Sequence, residues 1–278
     1  MKISYSLYQL SPKKKLNAMD TSSKKEGVYI QAELKGKKFF ADFLPHLELG
    51  DESIDEFMEN FRFQKSEYER KVFDLLLKDQ SFQNLRPQMF KNHALGRETT
   101  IHAPIKYKVQ GPDDYGFIPY LEKRRTLRLD PNGIFSRSEF DQFLKGIDPS
   151  LLKKIEYIED PTHDGNWKDI PVKVAKDFHE GDHADIVIHK PNARFKTDNG
   201  KTHIYSSYMG GALGTFHAYA ELVHEGDLSL FHGLNTFGVY QEDIELFTGT
   251  DLLTPHQENI RKVYRDLLNR EWKTLGAM

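Results

Sequence analysis

The first hundred residues alternate between strand-like and helix-like hydrophobic patterns. Residues 26–45, EGVYIQAELKGKKFFADFLP, hold two runs rich in strand-forming residues around a polar KGKK turn, which predicts a hairpin. From Ser53 onward, apolar residues recur on one helical face, at Ile54, Phe57, Met58 and Phe61. This period predicts an amphipathic helix, and Ser53 with Glu56 has the spacing of a capping box. We therefore predict an N-terminal α+β unit that ends near residues 95–97.

From about residue 98 the pattern changes to short apolar runs that each end in an ionisable residue. These residues are Lys106, Lys108, Asp130, Glu159, Asp177 and Lys190. Helical patterns separate some of the runs, as over residues 136–147, while residues 205–223 predict a strand, a loop and a helix. Strands that alternate with helices are typical of parallel βα units. Because the carboxyl ends of parallel strands meet at one mouth of a barrel, we expect the ionisable residues to form one site.

The spacing of the runs predicts a barrel that lacks part of its helical layer. Lys190 comes only 13 positions after Asp177, and Ser206 only 16 positions after Lys190. A helical crossover needs about a dozen residues in addition to the strands that it joins. We therefore predict an α/β protein with three parts: an α+β capping (lid) domain over residues 1–97, a reduced (β/α) TIM-like barrel over residues 98–250, and a C-terminal helical segment over residues 251–278.

Composition and charge narrow the class of protein. Of the 278 residues, 38% are apolar and 29% are charged, with 39 basic against 42 acidic groups, as in ordinary globular domains. The near-neutral charge argues against a nucleic-acid partner, and residues 205–223, the least charged long stretch, are too polar to span a membrane. The absence of cysteine excludes disulfides and thiolate zinc sites. Because the first residues also lack an apolar signal-peptide run, we expect a cytoplasmic protein.

Three of the converging side chains are carboxylates: Asp130, Glu159 and Asp177. Like charges in a partly dry site repel one another unless a cation lies among them. Oxygen ligands without sulfur suit Mg²⁺, for which Mn²⁺ is an expected substitute. The sequence therefore predicts a magnesium site at the mouth of the barrel.

Lysines flank this predicted metal site. Lys108 and Lys190 belong to runs on opposite sides of the barrel, and Lys106 lies on the same strand face as Lys108. A nearby cation lowers the pKa of a lysine toward the range where the neutral amine removes a proton. The set suits abstraction of a proton α to a carboxylate, because the metal stabilises the enediolate charge that develops. We therefore expect a small-molecule carboxylate as the substrate.

Five motifs, in this order, resemble the signature of the enolase superfamily. They are KYK at 106–108, RLDPN at 128–132, YIEDP at 157–161, VAKDF at 174–178 and HKPN at 189–192. Within that superfamily the chain resembles the o-succinylbenzoate synthase family, of the muconate-lactonizing-enzyme-like subgroup, through the segments ADFLPHLELGDESIDEF, SSYMGGALGTFHAYAEL and HGLNTFG. One position departs from the pattern, because Phe178 follows the third predicted metal ligand where the family often has glutamate.

The resemblance implies Mg²⁺-dependent dehydration of 2-succinyl-6-hydroxy-2,4-cyclohexadiene-1-carboxylate to o-succinylbenzoate, a step of menaquinone biosynthesis. By position, Lys108 corresponds to the base that removes the α proton and then assists loss of the hydroxyl group. Lys190 corresponds to the lysine that stabilises the anionic intermediate. Electrostatic or substrate-binding support is implied for Lys106, Asn132, Ser206 and Ser207. The capping domain would act as a lid, with residues 11–25 as a mobile loop.

Other functions stay open from the sequence, as does the oligomeric state. Racemisation of N-acylamino acids, or epimerisation of dipeptides, also needs a lysine on each face of the α carbon. A shortened barrel could instead hold the metal without catalysis. A zinc protease is a further alternative, because residues 179–189 contain H-E-x-x-H, with His179, His183 and His189 as ligands and Glu180 as the base. Gly181 and the strand-like DIVI run disfavour the helix that this motif requires.

Overall fold

A computed structural model of the chain describes residues 1–13, 23–95, 103–123, 126–195, 197–198, 200–235 and 238–277. Most of the predicted mobile loop, residues 14–22, lies outside the described residues. The predicted junction between the capping domain and the barrel, at residues 96–98, lies outside them as well. None of the helices in the described ranges combines the length and the apolar character that crossing a membrane requires.

The N-terminal unit is an antiparallel sheet covered by two helices. Its first three strands are β1 (Lys2–Leu10), β2 (Lys25–Leu34) and β3 (Lys37–Phe43), and the helices are α1 (Ile54–Asn60) and α2 (Glu67–Gln83). The predicted hairpin is confirmed, since β2 pairs with β3 in antiparallel register. Its turn residues, Lys35 and Gly36, have φ values of 52° and 74°, as a two-residue type I′ turn requires.

The predicted helix after Ser53 is confirmed at its start. The structure divides its later part from its first part, so that it forms two helices, α1 and α2. Ser53 and Glu56 form the expected capping box at the start of α1. The chain then tightens into a 3₁₀ turn, and Gln64 adopts a left-handed conformation with φ of 48°. A second capping box, between Ser66 and Glu69, starts α2. Each box satisfies backbone N–H groups that a helix start leaves free, so α1 and α2 begin at these serines.

The barrel strands pair with one another in parallel, while β4 also pairs antiparallel with a later strand outside the barrel. They are β4 (Phe90–Asn92), β5 (Ala94–Leu95), β6 (Ile105–Lys108), β7 (Leu127–Asp130), β8 (Ile155–Glu159), β9 (Val174–Lys176), β10 (Ile186–His189), β11 (Thr202–Tyr205) and β12 (Phe231–His232). Strands β5 to β11 form one sheet in sequence order, and β12 pairs with β4. The register sets Lys108 directly beside Asp130. The predicted α/β architecture is therefore present.

Backbone hydrogen bonds close the barrel along both edges of this sheet. On one edge, β4 continues into β5, and the His93 N–H between them donates to the His232 carbonyl at 2.8 Å. On the other edge, the Gly233 N–H donates to the Tyr205 carbonyl at 2.8 Å, and the Ser207 N–H donates to the Gly233 carbonyl at 3.0 Å. These bonds insert β12 between β11 and β4, so no barrel edge is left open at these positions.

Among the described residues, four helices lie in the connections of the barrel: α3 (Ile118–Glu122), α4 (Arg137–Lys145), α5 (Pro149–Leu152) and α6 (Ala212–Glu225). In the described residues, the connections between β8 and β11 contain no helix. The short connections on either side of β10 were predicted to lack one. Residues 160–173, between β8 and β9, also contain no helix, although this connection is long enough to hold one.

The C-terminal segment returns to the N-terminal unit. It contains β13 (Phe247–Thr248), β14 (Leu252–Pro255), α7 (Gln257–Leu268) and β15 (Lys273–Ala277). Residues 251–278, predicted as a helical segment, contain α7 and also the strands β14 and β15, which were not predicted. Because β15 pairs with β1, the last residues complete the sheet that the first residues begin.

A buried carboxylate joins the capping sheet to the barrel. Asp42 on β3 is 2% exposed, and the Tyr8 hydroxyl donates to its carboxylate at 3.2 Å. The carboxylate also accepts the backbone N–H of Gly214 in the first turn of α6, where a negative charge is favoured. Burial raises the pKa of Asp42 to about 6, although the nearby His217 imidazole acts in the opposite direction. The contact therefore joins the two units, and it keeps the Asp42 carboxyl group in surroundings where its ionised form is unfavourable.

We expect Asp42 to make the protein less stable as the pH rises from about 4 to 6. The folded state holds the Asp42 proton up to about pH 6, whereas the unfolded chain releases it near 3.8, so the free energy of unfolding falls across this window. The contribution reaches about 3 kcal/mol, since one pKa unit corresponds to about 1.4 kcal/mol. Asp42→Asn should gain stability relative to wild type over the same window in urea titrations. A difference between the two proteins that stays constant with pH would contradict this.

Candidate active site

The predicted ionisable residues meet at the carboxyl end of the barrel strands. Lys106 and Lys108 lie on β6, Asp130 ends β7, Glu159 ends β8, Asp177 follows β9 and Lys190 follows β10. The convergence expected from parallel strands is therefore present. We call these six side chains the mouth cluster.

Lys106 lies at the centre of the mouth cluster. Its Nζ atom is 2.7 Å and 2.9 Å from the two carboxylate oxygens of Glu159, and 3.0 Å from Oδ2 of Asp130. Burial by itself lowers the pKa of Lys106, but Asp130 and Glu159 more than offset it, so the pKa lies well above its usual value. The ammonium group therefore stays charged and neutralises part of the carboxylate charge around it.

The other two lysines approach the cluster from opposite sides. Lys108 Nζ lies 3.5 Å from Oδ2 of Asp130, and its side chain is 51% exposed. Lys190 Nζ lies 2.6 Å from Oδ2 of Asp177, and its side chain is 14% exposed. Three strands, β7 to β9, separate the strands that carry these lysines. A small molecule bound over the mouth would therefore have an amine on each side.

The carboxylates of the cluster perturb one another. Burial raises the pKa of Glu159 to about 8; Lys106 opposes this shift, and Asp130 and Asp177 add to it. Burial also acts to raise the pKa of Asp177, but Lys190 and Lys106 outweigh it, so that pKa falls below its usual value. The negative charge of the cluster is therefore only partly compensated by its lysines.

The oxygen atoms of the cluster fit a hard cation in chemical terms. Oδ1 of Asp130 and Oδ1 of Asp177 are buried without a hydrogen-bond partner. Unsatisfied buried carboxylate oxygens are unfavourable, and oxygen-only ligands suit Mg²⁺. In the part of the chain that the structure describes, no three His, Asp or Glu side chains are spaced as a complete metal site. Lys106 Nζ instead lies between Asp130 and Glu159, so a bound ion would require this ammonium group to move.

Asp160 positions the third carboxylate, and the sequence reasoning missed it. The residue is 2% exposed and adopts a left-handed conformation with φ of 44°. Its carboxylate accepts the backbone N–H groups of Asp177, Phe178 and His179 at 2.9, 2.8 and 3.2 Å. These bonds fix the chain just after β9 and so set the direction of the Asp177 side chain. A second acid directly after Glu159 and before a proline was the available signal in the sequence.

The residues predicted to support the substrate lie at the ends of β7 and β11. Asn132 is exposed in the turn after β7, with φ of 51°. Ser206 Oγ lies 3.4 Å from the Gly233 carbonyl, and Ser207 Oγ accepts the Met209 N–H at 3.1 Å. Both serines are therefore part of the closure of the barrel, and the substrate-binding roles of all three residues stay predictions.

The histidine motif does not form a zinc site among the described residues. Residues 178–185 contain no helix, so His179 and His183 are not one helical turn apart. His183 is exposed and lies 3.4 Å from Asp185. His189 is buried on β10 and lies 3.9 Å from Glu221 of α6, away from the other two histidines. The described residues therefore lack the helical spacing of His179 and His183 that the zinc-protease alternative required.

Comparisons with known proteins agree with the resemblance read from the motifs. Residues 3–74 match the family model of the o-succinylbenzoate synthase N-terminal domain. An o-succinylbenzoate synthase from Bdellovibrio bacteriovorus is 27% identical over 296 residues, which cover 87% of this chain and 88% of that protein. The similarity therefore extends beyond the capping domain into the barrel.

Solved structures share the fold at low sequence identity. An o-succinylbenzoate synthase from Thermosynechococcus elongatus, complexed with magnesium in its active site, superposes with a TM-score of 0.71 at 15% identity and covers 95% of this chain and 100% of its own. An enolase family member from Agrobacterium tumefaciens, with homology to dipeptide epimerases, gives a TM-score of 0.67 at 14% identity over 91% of this chain and 97% of its own. The predicted barrel with its N-terminal domain is confirmed. The chain therefore has the enolase-superfamily fold, and its sequence is similar to those of the o-succinylbenzoate synthases.

Proposed function

We propose that the protein is a Mg²⁺-dependent o-succinylbenzoate synthase that dehydrates 2-succinyl-6-hydroxy-2,4-cyclohexadiene-1-carboxylate. The observation that carries the proposal is the pair Lys108 and Lys190, which face each other across a cluster of three carboxylates. The similarity to the Bdellovibrio synthase selects the substrate among those that this superfamily uses. Asp130, Glu159 and Asp177 would hold the metal ion. When bound, Mg²⁺ supplies positive charge beside the substrate carboxylate, where negative charge accumulates.

The lysines would divide the proton transfers between them. Lys108, the more exposed of the two flanking lysines, removes the α proton. It then returns this proton to the β-hydroxyl group, so that the carbon–oxygen bond breaks and water leaves. Lys190, on the opposite side, balances the negative charge of the intermediate. Lys106 adds positive charge at the centre of the cluster.

A second activity of the same superfamily has support from one observation. An epimerase needs one base on each face of the α carbon, and Lys108 and Lys190, which contact different carboxylates of the mouth cluster, would supply these two bases. The structural similarity to an epimerase-like protein from Agrobacterium tumefaciens agrees with this arrangement. Dehydration and epimerisation share the first proton abstraction and differ in its outcome, so they are separated by their products.

We expect the purified protein to convert the cyclohexadiene substrate with loss of its absorbance, and EDTA to abolish this conversion until Mg²⁺ is restored. Removal of the ion would leave the developing charge without compensation. Solvent deuterium incorporation into dipeptides or N-acylamino acids, without dehydration, would favour the epimerase or racemase instead. Binding of Mg²⁺ without turnover of any of these compounds would favour a non-catalytic barrel.

Replacement of either flanking lysine should remove most of the activity. Lys108→Ala and Lys190→Ala are each expected to lower kcat by about 10²- to 10⁴-fold, the usual range for loss of an acid–base group. Lys176→Ala is the matched control, because Lys176 ends β9 but pairs with Glu180 and Asp198 outside the mouth cluster. Steady-state kinetics on folded variants measures the effect. Wild-type turnover in either flanking variant would exclude the role assigned to it.

Asp130→Asn should weaken Mg²⁺ binding by about tenfold or more, because a tenfold change corresponds to only about 1.4 kcal/mol and the variant removes a full charge from the site. Isothermal titration calorimetry with Mg²⁺ alone measures this affinity directly. Asp141→Asn, on the outer helix α4 where Asp141 pairs with Arg137, provides the control. Equal affinity in Asp130→Asn and wild type would reject Asp130 as a metal ligand.

A further inference from the structure

Arg194 lies one turn beyond Lys190, at the rim of the mouth. The backbone N–H groups of Ala193 and Arg194 both donate to the Lys190 carbonyl at 3.0 Å, which forms a single tight turn. Arg194 Nη1 then donates to the Asp177 carbonyl at 3.2 Å. The guanidinium group is therefore held next to the residue that Lys190 contacts.

The Arg194 guanidinium has no ion-pair partner among the residues that the structure describes. The carboxylates around it are already engaged, since Asp177 pairs with Lys190, and Asp51 accepts hydrogen bonds from Tyr208 and Tyr68. Burial acts to lower the pKa of Arg194, but the surrounding acidic groups raise it overall, so the group stays charged. A partly buried charge that has acidic groups nearby but no direct ion pair can still gain stabilisation from a bound anion.

The surroundings of Arg194 hold the side chain in place. Its guanidinium lies over the Phe178 ring at 5.6 Å from the ring centre, and Phe178 is itself fixed by its N–H bond to Asp160. The next residue, Phe195, donates its N–H to Glu67 of the capping domain at 3.2 Å. Arg194 therefore lies where the barrel mouth meets the cap, with its other N–H donors free of bonds to described residues. A planar guanidinium held in this way is suited to a carboxylate.

We propose that Arg194 binds the terminal carboxylate of the substrate's succinyl side chain, and so selects dicarboxylates over monocarboxylates. The proposal rests on the proposed function, because it takes the reacting carbon to lie between Lys108 and Lys190. If the succinyl side chain of the substrate extends from the reacting carbon past Lys190 toward the capping domain, its terminal carboxylate reaches Arg194. The Phe178 ring, which departs from the family pattern, then serves as the surface on which the guanidinium packs.

The test compares two ligands and three variants. o-Succinylbenzoate and 2-butyrylbenzoate differ only in that a methyl group replaces the terminal carboxylate. Calorimetry on the Mg²⁺-loaded wild type should give about 10- to 100-fold tighter binding of o-succinylbenzoate, the usual effect of a charged hydrogen bond. Arg194→Met should reduce this preference to less than about threefold and raise KM for dehydration by a similar factor, with kcat nearly unchanged. Arg194→Lys should keep part of the preference, and Arg265→Met, on the exposed face of α7, should keep all of it.

The outcomes separate this proposal from the proposed function. If the wild type dehydrates its substrate but Arg194→Met keeps the full preference between the two ligands, Arg194 does not bind the terminal carboxylate, and the function stands. A wild type that binds both ligands equally also overturns the role of Arg194, whether or not the variants fold. If the wild type neither dehydrates the substrate nor binds o-succinylbenzoate, both proposals are wrong. Thermal melts followed by circular dichroism check that each variant is folded.

Discussion

Charge compensation within the mouth cluster is the constraint on which the rest of the site depends. Three carboxylates meet in a largely buried place, where each ionised group loses most of its hydration. Lys106 compensates Asp130 and Glu159, and Lys190 compensates Asp177. Burial, to which repulsion from Asp130 and Asp177 adds, raises the pKa of Glu159 to about 8. The lysines that lie among the acids supply part of the compensation, and the two carboxylate oxygens without a hydrogen-bond partner, on Asp130 and Asp177, are where a bound cation would add to it.

The reduced barrel keeps this cluster in place although its described residues form no helix between β8 and β11. Between β8 and β11, local hydrogen bonds replace helical crossovers: Asp160 fixes the chain after β9, and the turn that follows Lys190 fixes the chain after β10. Such bonds hold side-chain positions at the mouth but bury little apolar surface. The larger part of the apolar packing lies elsewhere, where α6 shares a core with the capping helices and the C-terminal helix. The cap is therefore part of the stability of the barrel as well as a cover for its mouth.

The sequence predicted those features that depend on local patterns. Alternating and helical periods located the hairpin, the Ser53 cap and the strands that end in ionisable residues, and the parallel arrangement then implied that these residues meet. Features set by distant contacts were not predictable in this way. The pairing of β15 with β1 joins the two ends of the chain, and β12 closes the barrel through bonds to Tyr205 and Ser207. The position of Lys106 between two acids also could not be read from spacing, because strand register decides which charges come within 3 Å of each other.

The cationic side chains of the mouth differ in how many carboxylates each one contacts. We relate their proposed roles to this difference. Lys106 is buried and contacts two carboxylates, so its charge is committed to the cluster. Lys108 has a single longer contact and is half exposed, which leaves its amine accessible to a substrate. Arg194 is held beside the cluster without a carboxylate partner among the described residues. The positive charges are therefore most fully paired with carboxylates at the centre of the mouth and least fully paired at its rim. An anionic ligand gains the most binding free energy when its carboxylate lies at the rim and its reacting carbon lies over the centre.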